Sequence, residues 1–366
     1  MRLLSSIITA AVAVGILAAC SGNAGSPRNT LPSASAQSSA LTQAPAGRPT
    51  APEFETWHSM LMSVPKPRGC VVATYPEIQW RKVQCVQPPN DPVLPAQGVR
   101  PTTVGNGDDW IAAVTGHVSY AQGSFHHVTG VTSENENGHR NDYSVQLNTQ
   151  PFTTATCANL GSPDPSSCRG WEQFIYGTTG TSADVYIEYW LLNFGPGGTK
   201  CPLHWYTSGT TEISCFINSS GTTAPAEAIT NLGNLLLSGT AALGSSSTDS
   251  AEFTVFGSSV YGVDGLDVFS DLDLEWQKTE FNIFGRCCAK QAVFNTGSQA
   301  VVRMEVDSGV TVSPACDSGG FTGETNNLYL TGESTSWPKV QYPSIVFTES
   351  NAAGRTPKSC VVEPAQ

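Results

Sequence analysis

The sequence predicts an all-β protein: a large antiparallel sandwich with one inserted helix and several disulfides. Three observations carry this. Apolar residues recur with period two in short runs separated by Gly, Asn and Ser clusters, the pattern of half-buried strands. One segment alone carries helical spacing. Ten cysteines follow residue 20, an even number that reads as a disulfide framework in an exported chain.

The chain begins with a short basic start, Met1-Arg2, and an apolar run from Leu3 to Leu17 that is too short for a stable membrane span. Leu17-Ala18-Ala19-Cys20 then resembles the bacterial lipoprotein lipobox. The resemblance implies a signal peptide over 1–19 and lipidation of Cys20, with Ser21 compatible with passage to an outer membrane or cell surface. Residues 20–68 are dominated by Ser, Ala, Pro, Gly and Thr. They are expected to form a disordered stalk, because so few large apolar residues cannot offset the ordering entropy. A small disulfide-linked flap is expected over 69–100, and the sandwich over 101–366.

Within the sandwich, strands are expected near 111–120, 124–131, 143–147, 172–176 and 344–347. Val185, Ile187, Tyr189 and Leu191 alternate with Tyr186, Glu188, Trp190 and Leu192; Leu272, Leu274 and Trp276 alternate with Asp271, Asp273 and Glu275; Val302, Met304 and Val306 alternate with Val301, Arg303 and Glu305. Ile229, Leu232, Leu236 and Leu243, behind Pro225, predict a helix over 225–238 that stops near Gly239. Short loops favour Cys70–Cys85, Cys157–Cys168 and Cys201–Cys215. Cys287 and Cys288 would then divide Cys316 and Cys360 between them.

Composition excludes several functions. The whole chain carries a formal charge of −12, and removing residues 1–19 leaves 17 basic against 30 acidic side chains, so nucleic acid is disfavoured as a partner. His58, His117, His126, His127, His139 and His204 show no paired-ligand spacing and no Cys-x-x-Cys partner, so no metal and no cofactor is expected. No Gly-x-Ser-x-Gly elbow or phosphate-cradling loop occurs. Asn218-Ser219-Ser220 is read as a turn.

Three constellations could carry function. In the first, Trp171-Glu172-Gln173-Phe174-Ile175-Tyr176 precedes Val185-Tyr186-Ile187-Glu188-Tyr189-Trp190, and Thr279-Glu280-Phe281-Asn282 follows a hundred residues later. Alternation places Gln173 with Ile175, Glu188 with Tyr186 and Trp190, and Glu280 with Asn282. Polar groups among apolar strand neighbours demand a reason. The order resembles the eqolisin glutamic peptidases, a family of concanavalin-like jelly-roll sandwiches. The resemblance implies an acid-favouring endopeptidase. Glu280 would be its catalytic glutamate, Gln173 the oxyanion donor and Glu188 the supporting carboxylate. The aromatic strand here reads Tyr-Ile-Glu-Tyr-Trp where the family has Trp-Tyr-Glu-Trp, and the late strand reads Thr-Glu-Phe.

The second constellation, Asp271-Leu272-Asp273-Leu274-Glu275-Trp276, resembles the Glu-x-Asp-x-Glu strand of lichenase- and laminarinase-type β-glucanases. The nucleophile position is then Asp271, one methylene short for a retaining pair. The third is non-enzymatic: Tyr186, Tyr189, Trp190, Trp205, Tyr206 and Trp276 would offer rings to a polysaccharide. An enzyme needs Gln173 and Glu280 in one open groove.

Overall fold

A computed structural model describes residues 49–92, 109–241, 248–265, 272–288, 290–317, 325–331, 341–352 and 359–365. Two antiparallel sheets form the body, as the period-two patterning requires. The first runs, in spatial order, Arg81–Lys82, Val71–Thr74, Ser259–Asp264, Ser250–Val255, Leu235–Thr240, Tyr120–Thr129, Gln299–Asp307, Ser344–Ser350 and Tyr329–Leu330, with Val361–Glu363 also paired to Ser344–Ser350. The second, here the site sheet, runs Tyr206–Ser208, Glu212–Asn218, Ala183–Pro196, Arg169–Thr179, Asp142–Thr149, Lys278–Gly285, Ile111–Ala113 and Ala315–Asp317. A small third sheet joins Glu134–Glu136, His139–Arg140, Gln291–Phe294 and Thr325–Asn326.

The core lies between the two large sheets. Val145, Leu147, Phe174, Tyr176, Ile187, Tyr189 and Phe281 enter it from the site sheet, and Phe125, Leu237, Phe253, Val302, Met304 and Phe347 from the other. Tyr176 stacks on Phe253 at 3.8 Å between centroids, and Phe281 meets Phe125 at 4.9 Å. Close approach depends on two glycines. A methyl at Gly123 would stand 2.0 Å from Phe281 Cγ, and one at Gly239 would stand 2.5 Å from the Phe174 ring. Because these aromatic residues point inward, strand alternation turns Gln173 and Glu280 to the other side of the site sheet.

Several elements differ from expectation. The helix expected over 225–238 is a 3₁₀ segment, Ile229–Asn234, followed by the strand Leu235–Thr240. Leu235 and Leu237 both enter the core, so sheet pairing overrides the helical spacing of Leu232 and Leu236. Ala51–Met62, inside the stretch expected as stalk, is a helix. Glu53 Oε2 accepts from the Thr50 backbone N–H and hydroxyl at its start. Phe54, Trp57 and Leu61, at helical spacing, bury against Val71, Ala73, Trp80 and Val260. Three large apolar residues on one face are enough to dock a single helix at a sheet edge. Cys20, the expected lipidation site, lies outside the described residues.

Cys70–Cys85, Cys157–Cys168 and Cys201–Cys215 pair as the short loops require. The remaining four do not divide as expected. Cys287 pairs with its neighbour Cys288, whose φ of 65° turns the chain back, and Cys316 pairs with Cys360. The Cα atoms of Cys316 and Cys360 stand 6.3 Å apart, within bridging range. This last bridge ties Ala315–Asp317 of the site sheet to the segment entering Val361–Glu363 of the other.

Candidate functional site

The site is a row of polar residues across five strands of the site sheet. Asn218 stands directly opposite Glu188, Glu188 opposite Gln173, Gln173 opposite Asn148, and Asn148 opposite Glu280. The residues the sequence singled out, Gln173, Glu188 and Glu280, thus fall on one line and one face. Gln173 and Glu280 are not immediate neighbours: the Asp142–Thr149 strand lies between them, so their backbones are two strand spacings, roughly 10 Å, apart.

Side-chain amides close the gap. Trp190 Nε1–H donates to Gln173 Oε1 and to Glu188 Oε1, each at 2.8 Å. Gln173 Nε2 donates to Gln146 Oε1 at 3.1 Å, and Asn148 Nδ2 donates to the same oxygen at 3.3 Å. Asn148 Nδ2 also reaches Glu280 Oε2 at 3.5 Å. Gln146 Nε2 donates in turn to Ser144 Oγ. Aromatic rings flank the row: Trp171 and Trp190 at 6.2 Å, and Trp190 stacked on Phe216 at 4.9 Å.

Gln173, Glu188 and Glu280 have no exposed surface, as is true of Gln146 and Asn148. The row is therefore closed in this structure, not an open groove.

Beside Glu280 the structure adds an acidic cluster that sequence reasoning missed. Asn282 Nδ2 donates to Glu349 Oε1 at 2.8 Å and to Asp109 Oδ2 at 3.2 Å, while its Oδ1 accepts from Asn326 at 3.2 Å. Burial pushes the Asp109 carboxyl well above the usual carboxylate range, and the charges of Glu349 and Glu280 push it further the same way. Burial likewise raises Glu349, against the opposing hydrogen bond from Asn282. Carboxyls this close in a dry site hold protons far into the neutral range. Glu349 continues the alternation of Ile345 and Phe347, the one signal in sequence that placed an acid at an interior strand position.

The second constellation is taken apart. Asp271 lies outside the described residues, and Leu272–Glu275 is a short helix in place of the expected strand. Residues two apart on a helix point about 200° from one another, so Asp273 and Glu275 do not converge. Of the six aromatics offered to a polysaccharide, Tyr186, Tyr189, Trp190 and Trp276 are buried, and Trp205 and Tyr206 alone retain substantial exposure. Among the described residues no group of three His, Cys, Asp or Glu side chains has metal-binding geometry, and no helix is long and apolar enough to cross a membrane. No protein-family model, curated protein or solved structure matches this chain.

Proposed function

We propose that this protein is an exported, lipid-anchored hydrolase of the bacterial envelope that cleaves polypeptides in acid through Glu280 and Gln173, with Glu188 in support. The observation that carries the reading is the row itself: two carboxylates and three amides in register across five adjacent strands, with proton-holding carboxyls beside one end. Glu280, next to Asp109 in a buried setting, is suited to take a proton from water and return it to the leaving amine. The neutral amide of Gln173 is suited to donate to a tetrahedral oxyanion at low pH, because it does not titrate. Its Nε2 must leave Gln146 to do so. Glu188, sharing the Trp190 indole with Gln173, fixes the orientation of that amide. The reading requires the segments that cover the row to move, because Gln173 and Glu280 are both fully buried.

The test is the purified full-length chain incubated with an unfolded protein between pH 3 and 7, beside Glu280→Gln. Cleavage that peaks in acid and vanishes in the variant is the expected result. No cleavage at any pH, or equal cleavage by both proteins, overturns the reading in favour of glycan binding. Incorporation of labelled palmitate, lost in Cys20→Ser, tests the anchor.

A further inference from the structure

Residues 86–92 form a strap over the outer face of the site sheet. Val86 and Gly221 exchange both backbone hydrogen bonds, and the Pro89 carbonyl accepts from Asn218 Nδ2 at 2.9 Å. Pro89 and Asp91 then border a shallow depression with Gly177, Asp184, Tyr186 and Arg286. By alternation Gly177 shares a face with Gln173, and Tyr186 with Glu188, so the strap and the polar row lie on the same side of the sheet. The strap's far end is held by the turn that follows the Glu280 strand. Asp91 accepts from Arg286 Nη1 at 3.2 Å, and the Pro92 carbonyl accepts from the Cys288 amide at 3.1 Å.

That turn carries the Cys287–Cys288 bridge. The other four bridges close separations of 15, 11, 14 and 44 residues, whereas this one joins chain neighbours. A cross-link between neighbours removes almost no freedom from the unfolded chain, so loop entropy gives it little stabilising role. What it fixes is local. Cys288 is held at a φ of 65°, a left-handed conformation uncommon for a residue with a side chain, with its N–H on the Pro92 carbonyl. Arg286, in the same turn, donates to Asp142 Oδ1 at 2.7 Å as well as to Asp91. Cys287 is buried and Cys288 is exposed, so a thiol in solution meets the pair at Cys288.

We propose that the Cys287–Cys288 pair is a thiol-sensitive clasp, and that its reduction by a protein dithiol releases the strap at Asp91 and Pro92. One thiolate of the reductant attacks the Cys288 sulfur, the Cys287–Cys288 bond breaks, and Cys287 leaves as a thiolate that takes a proton. The reductant's second thiol attacks the mixed disulfide, which frees Cys288 as a thiol and leaves the reductant as a disulfide. Two electrons pass to the clasp, and no other bond changes. Once opened, the pair lets Cys288 leave the left-handed region, which favours reduction here over the other four bridges. The contacts at Asp91 and Pro92 then loosen while the Val86 end stays paired with Gly221. The clasp does not depend on the hydrolase reading.

The test equilibrates the oxidised full-length protein with buffers of graded reduced-to-oxidised dithiothreitol. Free thiols are trapped with N-ethylmaleimide and mapped by peptide mass spectrometry. Cys287 and Cys288 are expected to label first, under conditions that leave the other four bridges closed. Hydrogen exchange is read by NMR on the same samples. The amide at position 288 is expected to exchange about tenfold faster once the pair is reduced, while the Val86 and Gly221 amides keep their rates. The double variant Cys287→Ser, Cys288→Ser is expected to show the fast rate without reductant, and the wild-type series decides even if that variant fails to fold. Earlier labelling of another pair, a bridge from Cys287 or Cys288 to any other cysteine, or exchange at 288 that ignores reduction each overturns the proposal. No substrate enters the measurement, so failure of the cleavage assay would sink the hydrolase and leave the clasp.

Discussion

Gly123 shows how one residue without a side chain sets the position of a residue that has a chemical one. Phe281 occupies the space a Cβ at Gly123 would need, with its Cγ 2.0 Å from that point, and Phe281 is fully buried with no room to yield. Glu280 is its strand neighbour, so the depth of the phenyl ring fixes the carboxylate on the other face. Gly123→Ala is expected to cost about 3 kcal/mol by overpacking, read from denaturant midpoints. It should also reduce any activity that depends on Glu280 by more than the loss of folded protein explains. The residue types of the site were legible because Gln173, Glu188 and Glu280 interrupt apolar alternation. Gln146 and Asn148 were not: Gln146 stands between Val145 and Leu147, where alternation expects an ordinary outward polar residue, and Asn148 follows the expected end of the strand. Asp109 and Glu349 meet Asn282 across 173 and 67 residues of chain, and local spacing carries no trace of such contacts.

Among the elements, short-range pattern served well where alternation was the only signal and failed where two periods overlapped. The segment around Leu232 and Leu236 satisfies helix and strand spacing at once, and pairing on both edges of Leu235–Thr240 decided between them. The helix Ala51–Met62 was hidden by the Ser-, Ala- and Pro-rich stretch before it, though Phe54, Trp57 and Leu61 carry its apolar face. The Cys316–Cys360 bridge closes a sequence separation of 44 and links the Ala315–Asp317 edge of the site sheet to the other large sheet. Replacing both cysteines with alanine should cost about 4 kcal/mol by the loop-entropy estimate, measured by urea unfolding. Loss of the bridge should also free the Ala315–Asp317 edge strand before the rest of the core, visible as early hydrogen exchange along its pairing with Ile111–Ala113.

Buried carboxyls favour the folded state in acid, whereas burial pushes the imidazoles of His58 and His126 down and works the other way below about pH 6.5. Burial pushes Glu134 up to about 8, with Glu136 and Asp142 adding to it, and burial pushes Glu305 up to about 7. Asp109 and Glu349 shift the same way. A carboxyl whose folded value lies above its unfolded value of 4.5 stabilises the protein fully below that value. That contribution is lost as pH rises through 7 to 8. Melting temperature is therefore expected to fall between pH 6.5 and 8, above the range in which the two histidines oppose the carboxyls. Glu305→Gln should flatten part of that fall, on the order of 2–3 kcal/mol. A melting temperature that climbs across the same interval would refute the account. The other charged groups at Glu305 are Arg303, which opposes the shift, and Glu363, which adds to it.

The order in which the row's strands lie along the chain has a kinetic consequence. Asn148, Gln173, Glu188 and Asn218 belong to strands that follow one another along the chain with only the short helix Thr156–Asn159 and the strand Tyr206–Ser208 between them, so their pairing closes short loops as soon as about eighty residues are available. Glu280 pairs with Asn148 across 132 residues, and its strand slots in between two others that precede it by far. Long-range strand insertion is the slow step of β folding. A chain emerging N-terminus first thus lays out four of the five positions while the strand that carries Glu280 is still to come. Until that strand arrives, the Asp142–Thr149 edge stays unpaired and the row lacks Glu280, so assembly of the fold and completion of the row are the same late event.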